Sequence, residues 1–388
     1  MHTSKKIMLP KKILILAGEA SGDHRGAEVA EMIFKKSPYA DLKIFGIGGE
    51  KMRATGVETF CDVSELAVIG FVEVIRHLPK IAKIFKQAKK VLEAEKPDLL
   101  ICVDYPGFNL RFAAEAKKLG VPVLFYISPQ VWAWRQGRVK KIARLVDHMA
   151  VVFPFEKAFY ESHDVQVSYV GHPLTKTIQL SKSREHIREG FGIAPHQKLV
   201  ALMPGSRYSE LNTLLPIMIQ ASEAIVKQNH GTVFILAAAP TISDEALEAL
   251  CKNSSVPIRI VRNDTYHIVH AADACITASG TATLETALLN TPMVIVYKVN
   301  TFTAMMVKWM LKIPYISLCN IVAGDAVVKE LLQEYVTAKS ISDEVLKILH
   351  DETYRNTMKG KLSGIRDKLG ELDAADNVAD IAIKMITS

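Results

Sequence analysis

The chain has 388 residues of globular composition, 49% hydrophobic, 23% charged and 7% aromatic, enough for two domains of roughly 150–200 residues each. Lys and Arg number 48 against 41 for Asp and Glu, a net charge of +7 that suits anionic small molecules or an anionic membrane surface and falls short of a dedicated nucleic-acid binder. Cys61, Cys102, Cys251, Cys275 and Cys319 are scattered without Cys-x-x-Cys spacing, which excludes a disulfide framework or zinc site, and no run of about 18 apolar residues predicts a membrane span.

Lysines precede the first apolar run, but Ile13–Ala17 is too short for a signal sequence and leads straight into Gly18-Glu19, so it reads as a first β-strand. Further strands are predicted at Lys43–Gly46, Leu99–Val103, Val123–Tyr126, His148–Val152 and Val167–Tyr169, with helices at Gly26–Phe34, Pro79–Glu95 and Asn109–Leu119 between them. The rhythm restarts with strands at Leu199–Met203, Val233–Ala237, Pro257–Val261, Ala274–Thr277 and Met293–Tyr297, and helices at Ser209–Gln228, Thr265–Ala271 and Ala282–Leu289. After about residue 300 only helices are expected. Strands alternating with helices predict an α/β fold with parallel sheets. The expected architecture is two Rossmann-like domains facing a cleft, residues 1–174 and 175–340, with C-terminal helices at 341–388 that can cross back to the first. Ligands in such folds bind beyond the carboxyl ends of the strands.

In the first half, strand one ends in Gly18-Glu19-Ala20-Ser21-Gly22-Asp23-His24-Arg25-Gly26-Ala27. Two carboxylates, a histidine and an arginine share that turn with glycines that allow close approach of a ligand; Asp23 could equally cap the following helix. The stretch Leu66-Ala67-Val68-Ile69-Gly70-Phe71-Val72 is unusually apolar for a loop. With Val68, Ile69 and Phe71 it is a candidate membrane contact, and the lysine-bearing helix behind it fits either core packing or a lipid surface. Strand Leu99–Val103 delivers Asp104-Tyr105-Pro106-Gly107-Phe108-Asn109, where Asp104 is placed as a general base or as a turn residue. Tyr126-Ile127-Ser128-Pro129-Gln130-Val131-Trp132-Ala133-Trp134-Arg135 carries two of the three tryptophans, either core residues or the lining of a site for sugar or acyl chains. Arg135, Arg138, Lys140, Lys141 and Arg144 follow, a solvated face or a contact for anionic headgroups.

In the second half, Pro204-Gly205-Ser206-Arg207 and Ser279-Gly280-Thr281-Ala282-Thr283-Leu284-Glu285 each join a strand to a helix. A helix N-terminus with a close-approaching glycine can hold phosphate, Ser206 can cap, and Arg207 can neutralise a departing diphosphate. Glu285 can accept hydrogen bonds from ribose hydroxyls. A capping box would need Ser or Thr where Ala282 stands. Neither a dinucleotide fingerprint nor a Walker loop is present, and the absence of Asp-x-Asp argues against a metal-chelated sugar nucleotide. No metal or cofactor is expected.

These motifs, with Gly171-His172-Pro173-Leu174, occur in an order that resembles the lipid-A-disaccharide synthase family from about Ile13 to about Gln333. The tryptophan-bearing loop is the most specific of them. The resemblance implies a GT-B fold and an inverting, metal-free glycosyltransferase. It would join UDP-2,3-diacylglucosamine to 2,3-diacylglucosamine 1-phosphate (lipid X) by a β-1,6 bond, releasing UDP. It also implies a cytoplasmic protein held peripherally on the inner face of the Gram-negative inner membrane, and a homodimer is compatible with the sequence. On this reading Asp104 is the base, with Glu19 a second candidate catalytic carboxylate. Ser206, Arg207, Ser279, Gly280, Thr281, Glu285 and Asn320 bind the nucleotide, and Ser21, Asp23, His24, Trp132, Trp134, Val68, Ile69 and Phe71 serve the acceptor and membrane side. Family members read Asn-x-x-Ala-Gly-Arg and then Pro-Glu where this chain has Asn320-Ile321-Val322-Ala323-Gly324-Asp325 and Lys329-Glu330. The alternatives are another UDP-sugar enzyme of the same fold (a transferase or 2-epimerase) and a non-catalytic nucleotide-sugar-binding protein.

Overall fold

The computed structural model describes residues 10–66, 71–133, 136–299 and 314–387, and of residues 71–77 the backbone alone. It comprises two units, Met1–Pro173 with Glu371–Ser388, and Leu174–Gly370.

The first unit runs β1 (Lys11–Ala17), α1 (Ala20–Lys36), β2 (Leu42–Gly48), α2 (Glu50–Ala54), β3 (Glu58–Asp62), α3 (Phe71–Glu95), β4 (Leu99–Val103), α4 (Pro106–Lys118), β5 (Val123–Tyr126), α5 (Val139–Leu145), β6 (His148–Val151), α6 (Pro154–Glu161) and β7 (Val167–Tyr169). All seven strands are parallel, in the order β3-β2-β1-β4-β5-β6-β7. Ile13–Leu16 and Leu99–Val103 are buried throughout, as strands covered by helices on both faces must be. The order reverses between β1 and β4, and their register sets Ala17 opposite Val103. The loops after these two strands therefore open on the switch point of the sheet.

The second unit runs α7 (Leu174–Thr177), α8 (Arg184–Gly190), β8 (Leu199–Met203), α9 (Tyr208–Gln228), β9 (Val233–Ala238), α10 (Asp244–Cys251), β10 (Ile258–Arg262), α11 (Thr265–Ala271), β11 (Ala274–Ala278), α12 (Thr281–Leu288), β12 (Met293–Tyr297), α13 (Leu318–Ala323), β13 (Lys329–Leu332), α14 (Ala338–His350) and α15 (Glu352–Leu369). Its parallel sheet has the order β10-β9-β8-β11-β12-β13, so the switch point lies between β8 and β11. The chain then returns to the first unit, where α16 (Ala374–Thr387) packs on α1.

Four elements differ from expectation. Helix α1 starts at Ala20, so most of the Gly18–Ala27 motif is helical rather than a turn. Helix α3 starts at Phe71, with Pro79 inside it. Two edge strands were not predicted, β3 and β13, and the second overturns the expectation that strands stop after residue 300. Both edges mix charged with apolar residues, Glu58-Thr59-Phe60-Cys61-Asp62 and Lys329-Glu330-Leu331-Leu332, which hides their period. All five cysteines are free thiols. No helix of the described residues is long and apolar enough to cross a membrane.

Candidate functional site

In the first unit, the carboxyl ends of β1 and β4 are tied together by Asn109. This buried side chain donates from Nδ2 to the carbonyls of Leu16, Val103 and Asp104 at 3.3, 3.2 and 2.7 Å. A Cβ on Gly18 would fall 2.1 Å from Cγ of Tyr105, so only glycine lets the two loops meet. Tyr105 is further held by its hydroxyl on the Leu66 carbonyl, 3.1 Å away. Asp104 and Tyr105 are consecutive left-handed residues, φ 47° and 48°. Such conformations cost on the order of 1–3 kcal/mol each and persist where the surroundings impose them. Burial pushes the Asp104 carboxyl up to about 6; its bond to the Tyr105 amide lowers it and the nearby Glu19 charge raises it. A carboxylate so placed titrates close to the range in which a general base works. Glu19 itself is exposed and accepts from the Ser21 hydroxyl at 3.3 Å.

The other first-unit candidates separate from this pair. Asp23 is buried and accepts the amides of Gly49 (2.5 Å), Lys51 (3.0 Å) and Met52 (3.1 Å). It caps α2 rather than its own helix, and its carboxylate is engaged within the fold. His24 faces Glu28 one turn on, at 3.4 Å. Trp132 is buried and stacks edge-on against Phe155, ring centroids 4.8 Å apart. Trp134, Val68 and Ile69 lie outside the described residues, and so does the Phe71 side chain.

Sequence reasoning missed Glu156. It is buried and accepts Ser128 Oγ at 2.7 Å and Trp132 Nε1 at 2.9 Å on one oxygen, and the Phe153 amide at 3.1 Å on the other. Burial raises its carboxyl to about 7 against those donors. Glu156 thus anchors the tryptophan-bearing loop to α6. The available signal was Phe153-Pro154-x-Glu156, a helix start with proline first and glutamate third.

In the second unit the switch point is a crevice of about 370 Å³. Ser206, Arg207, Ser279, Gly280, Thr281 and Glu285 all line it. Two helices begin here. The cap residue of α9 is Arg207, not Ser206 as expected, and that of α12 is Gly280; neither helix has a side-chain cap bond. Their first-turn amides therefore keep the partial positive charge that attracts phosphate. Gly280 has φ 157° with open space where a Cβ would stand, so the backbone itself is presented to the crevice. Thr283 turns inward to the Gly280 carbonyl, 2.8 Å. Arg207 is 69% exposed at the side chain and pairs with Glu210 at 2.8 Å.

Glu285, mostly buried, accepts the Tyr266 hydroxyl at 3.1 Å, and burial raises its carboxyl above the usual range. It also borders a second depression of about 360 Å³, lined by Gln179, Asn263–His267 and Glu285. Tyr266 too escaped the sequence reading, since a tyrosine in a predicted helix carries no signal of its partner.

Asn320 departs from expectation. Its Nδ2 donates to Val328 O and Glu330 Oε1, both at 2.9 Å, and its Oδ1 accepts the amides of Val327 and Val328 at 3.0 and 3.1 Å. With these four bonds it is a brace between α13 and β13, with nothing left for a nucleotide. Asp325, where the family pattern has arginine, pairs with Lys361 at 2.7 Å, and Lys329 pairs with the buried Glu344 at 3.2 Å.

Comparison with known proteins fits this geometry. The family model for lipid-A-disaccharide synthetase matches residues 13–379. The lipid-A-disaccharide synthase of Trichlorobacter lovleyi is 44% identical over 377 residues, 97% of this chain and 98% of that protein. Among solved structures, the UDP-GlcNAc 2-epimerase of Neisseria meningitidis bound to UDP-GlcNAc superposes with a TM-score of 0.64 at 12% identity, covering 97% and 99% of the two chains. The glycosyltransferase of kitacinnamycin superposes at 0.61 and 14% identity, covering 97% and 99%. The structural likenesses establish the GT-B fold, which epimerases share; the sequence relationship separates the enzymes. The chain belongs to the lipid-A-disaccharide synthase family and is a glycosyltransferase.

Proposed function

We propose that the chain transfers 2,3-diacylglucosamine from its UDP derivative to the 6-hydroxyl of lipid X, with inversion, giving the β-1,6 disaccharide 1-phosphate and UDP. The observation that carries the donor half is the meeting of two uncapped helix N-termini with Arg207 at the switch point of the second unit. That arrangement suits the charge growing on a departing diphosphate, while Glu285 suits the ribose and the adjoining depression a nucleobase. In the first unit Asp104 takes the proton of the attacking hydroxyl, and Glu19 tunes its charge from the neighbouring loop. Ser206, Ser279, Gly280 and Thr281 supply donors to the diphosphate. Asn320 and Asp23 act indirectly, by bracing the segments around these loops.

The substrates also imply an anionic membrane surface. The apolar Val68-Ile69-Gly70-Phe71 segment would meet the acyl region, and exposed Arg138, Lys140, Lys141 and Arg144 would meet the headgroups. Incubation with UDP-2,3-diacylglucosamine and lipid X, with and without EDTA, is the direct test. Disaccharide and UDP should appear in equal amounts and EDTA should change neither. Absence of disaccharide would refute the assignment, and strict EDTA sensitivity would refute the metal-free mechanism.

A further inference from the structure

Arg207 and Ser279 also border a further hollow of about 460 Å³. It is walled by the first two turns of α9 and by the carboxyl end of β12, and it contains Lys298 but not Glu285. The register sets Ala278 opposite Val296, and the Ser279 amide donates to the Val296 carbonyl at 3.1 Å. Lys298 therefore leaves the sheet beside the Ser279-Gly280-Thr281 turn. Arg207 is already compensated by Glu210, whereas Lys298 is only part-exposed and forms no ion pair among the described residues.

An ammonium without an ion pair, set in the same lining as Arg207 and the Ser279 turn, adds a third positive group to a crevice that already attracts phosphate. Glu285 lines the first crevice and Lys298 the further hollow, while Arg207 and Ser279 border both. We propose that Lys298 is a further substrate-binding residue that grips the terminal phosphate of the UDP leaving group, the phosphate whose bond to the sugar breaks. It rests on the reading of Glu285 as the ribose grip. Charge developing on that phosphate in the transition state makes this cation more valuable there than in the ground state.

Binding of UDP, UMP and uridine to the full chain by calorimetric titration separates the possibilities. Lys298→Met should weaken UDP about ten- to a hundredfold while leaving UMP and uridine within about twofold, and Lys298→Arg should restore most of the UDP affinity. With both lipid substrates, Lys298→Met should lower kcat more than it raises KM for the donor. Equal losses for UDP and UMP, or unchanged UDP binding, would overturn the proposal. Failure of the unaltered protein to bind UDP, or unaltered uridine affinity in Glu285→Gln, would overturn instead the reading on which it rests.

Discussion

Asp104 holds a left-handed backbone conformation, φ 47°, and a carboxyl raised by burial to about 6. Asparagine is the replacement that separates its two aspects, since it tolerates the same φ and loses only the charge. The folded carboxyl lies above its unfolded value of 3.8. The folded protein therefore binds the extra proton between those values, and stability falls as pH rises from about 4 to about 6. Above that window ionised Asp104 costs on the order of 1–3 kcal/mol. Asp104→Asn should thus melt higher than the unaltered protein at pH 7.5, with the advantage vanishing near pH 4, while turnover drops by about 100-fold or more. Thermal melts across pH and a disaccharide assay read both. In the unaltered protein kcat/KM should climb with pH up to about 6 and then level, because the base must be ionised; loss of stability without loss of turnover would remove Asp104 from catalysis. The strand end at Asp104 was legible, because an apolar run giving way to Asp-Tyr-Pro-Gly marks a strand passing into a turn; whether its carboxyl acts as a base or serves the turn was not. The roles of Asp23 and Asn320 were not legible either, since a carboxylate capping α2 from α1 or an amide bracing β13 depends on contacts that only the fold creates.

The strands β1, β4, β5, β8 and β12 could be placed from sequence to within two residues because doubly covered strands leave continuous apolar runs. The edges β7 and β10 were placed as well, but β3 and β13 were not, since Glu58 and Asp62 in the one and Lys329 and Glu330 in the other leave too short an apolar run to read as a strand. The extended start of α3 escaped because proline ordinarily marks a helix's first turn, whereas Pro79 lies well inside this one. The same reasoning gives β13 a testable dependence. Asn320 satisfies two amides and a carbonyl on the segment entering that strand, and Glu330 accepts the Ile316 and Ser317 amides and the Ser317 hydroxyl at 3.0, 3.0 and 2.6 Å. Asn320→Ala leaves several buried groups without partners at about 1–3 kcal/mol each. It should lower the unfolding free energy by about 2–4 kcal/mol, read by urea denaturation, while UDP affinity of the folded fraction stays within about threefold. A specific loss of UDP affinity at unchanged stability would return Asn320 to the nucleotide site.

The chain leaves the first unit at Pro173 and comes back at Glu371, so the last helix completes a domain whose strands were made some two hundred residues earlier. Composition and rhythm show two α/β halves; they do not show where a polar-faced C-terminal helix docks, because an amphipathic stripe names a burial face and not its partner. Here α16 buries Ala374, Val378, Ala379, Ala382 and Ile386 against α1. Polar contacts fix its register: Lys36 pairs with Asp376 and Asp380, both at 2.7 Å, Asn377 Nδ2 donates to Val170 O at 3.0 Å, and Tyr39 Oη donates to Ile386 O at 3.3 Å. Val378 and Ile386 alone bring about 3–6 kcal/mol of burial, comparable with the whole stability of a domain this size. Removing residues 371–388 should therefore unfold the first unit and leave the second, whose own elements lie within Leu174–Gly370. The truncated chain should lose one of two calorimetric transitions and all transferase activity, yet still bind UDP within about threefold of the full chain. If both transitions survived, α16 would be dispensable to the fold; if UDP binding vanished with the first transition, the donor grip would not belong to the second unit alone.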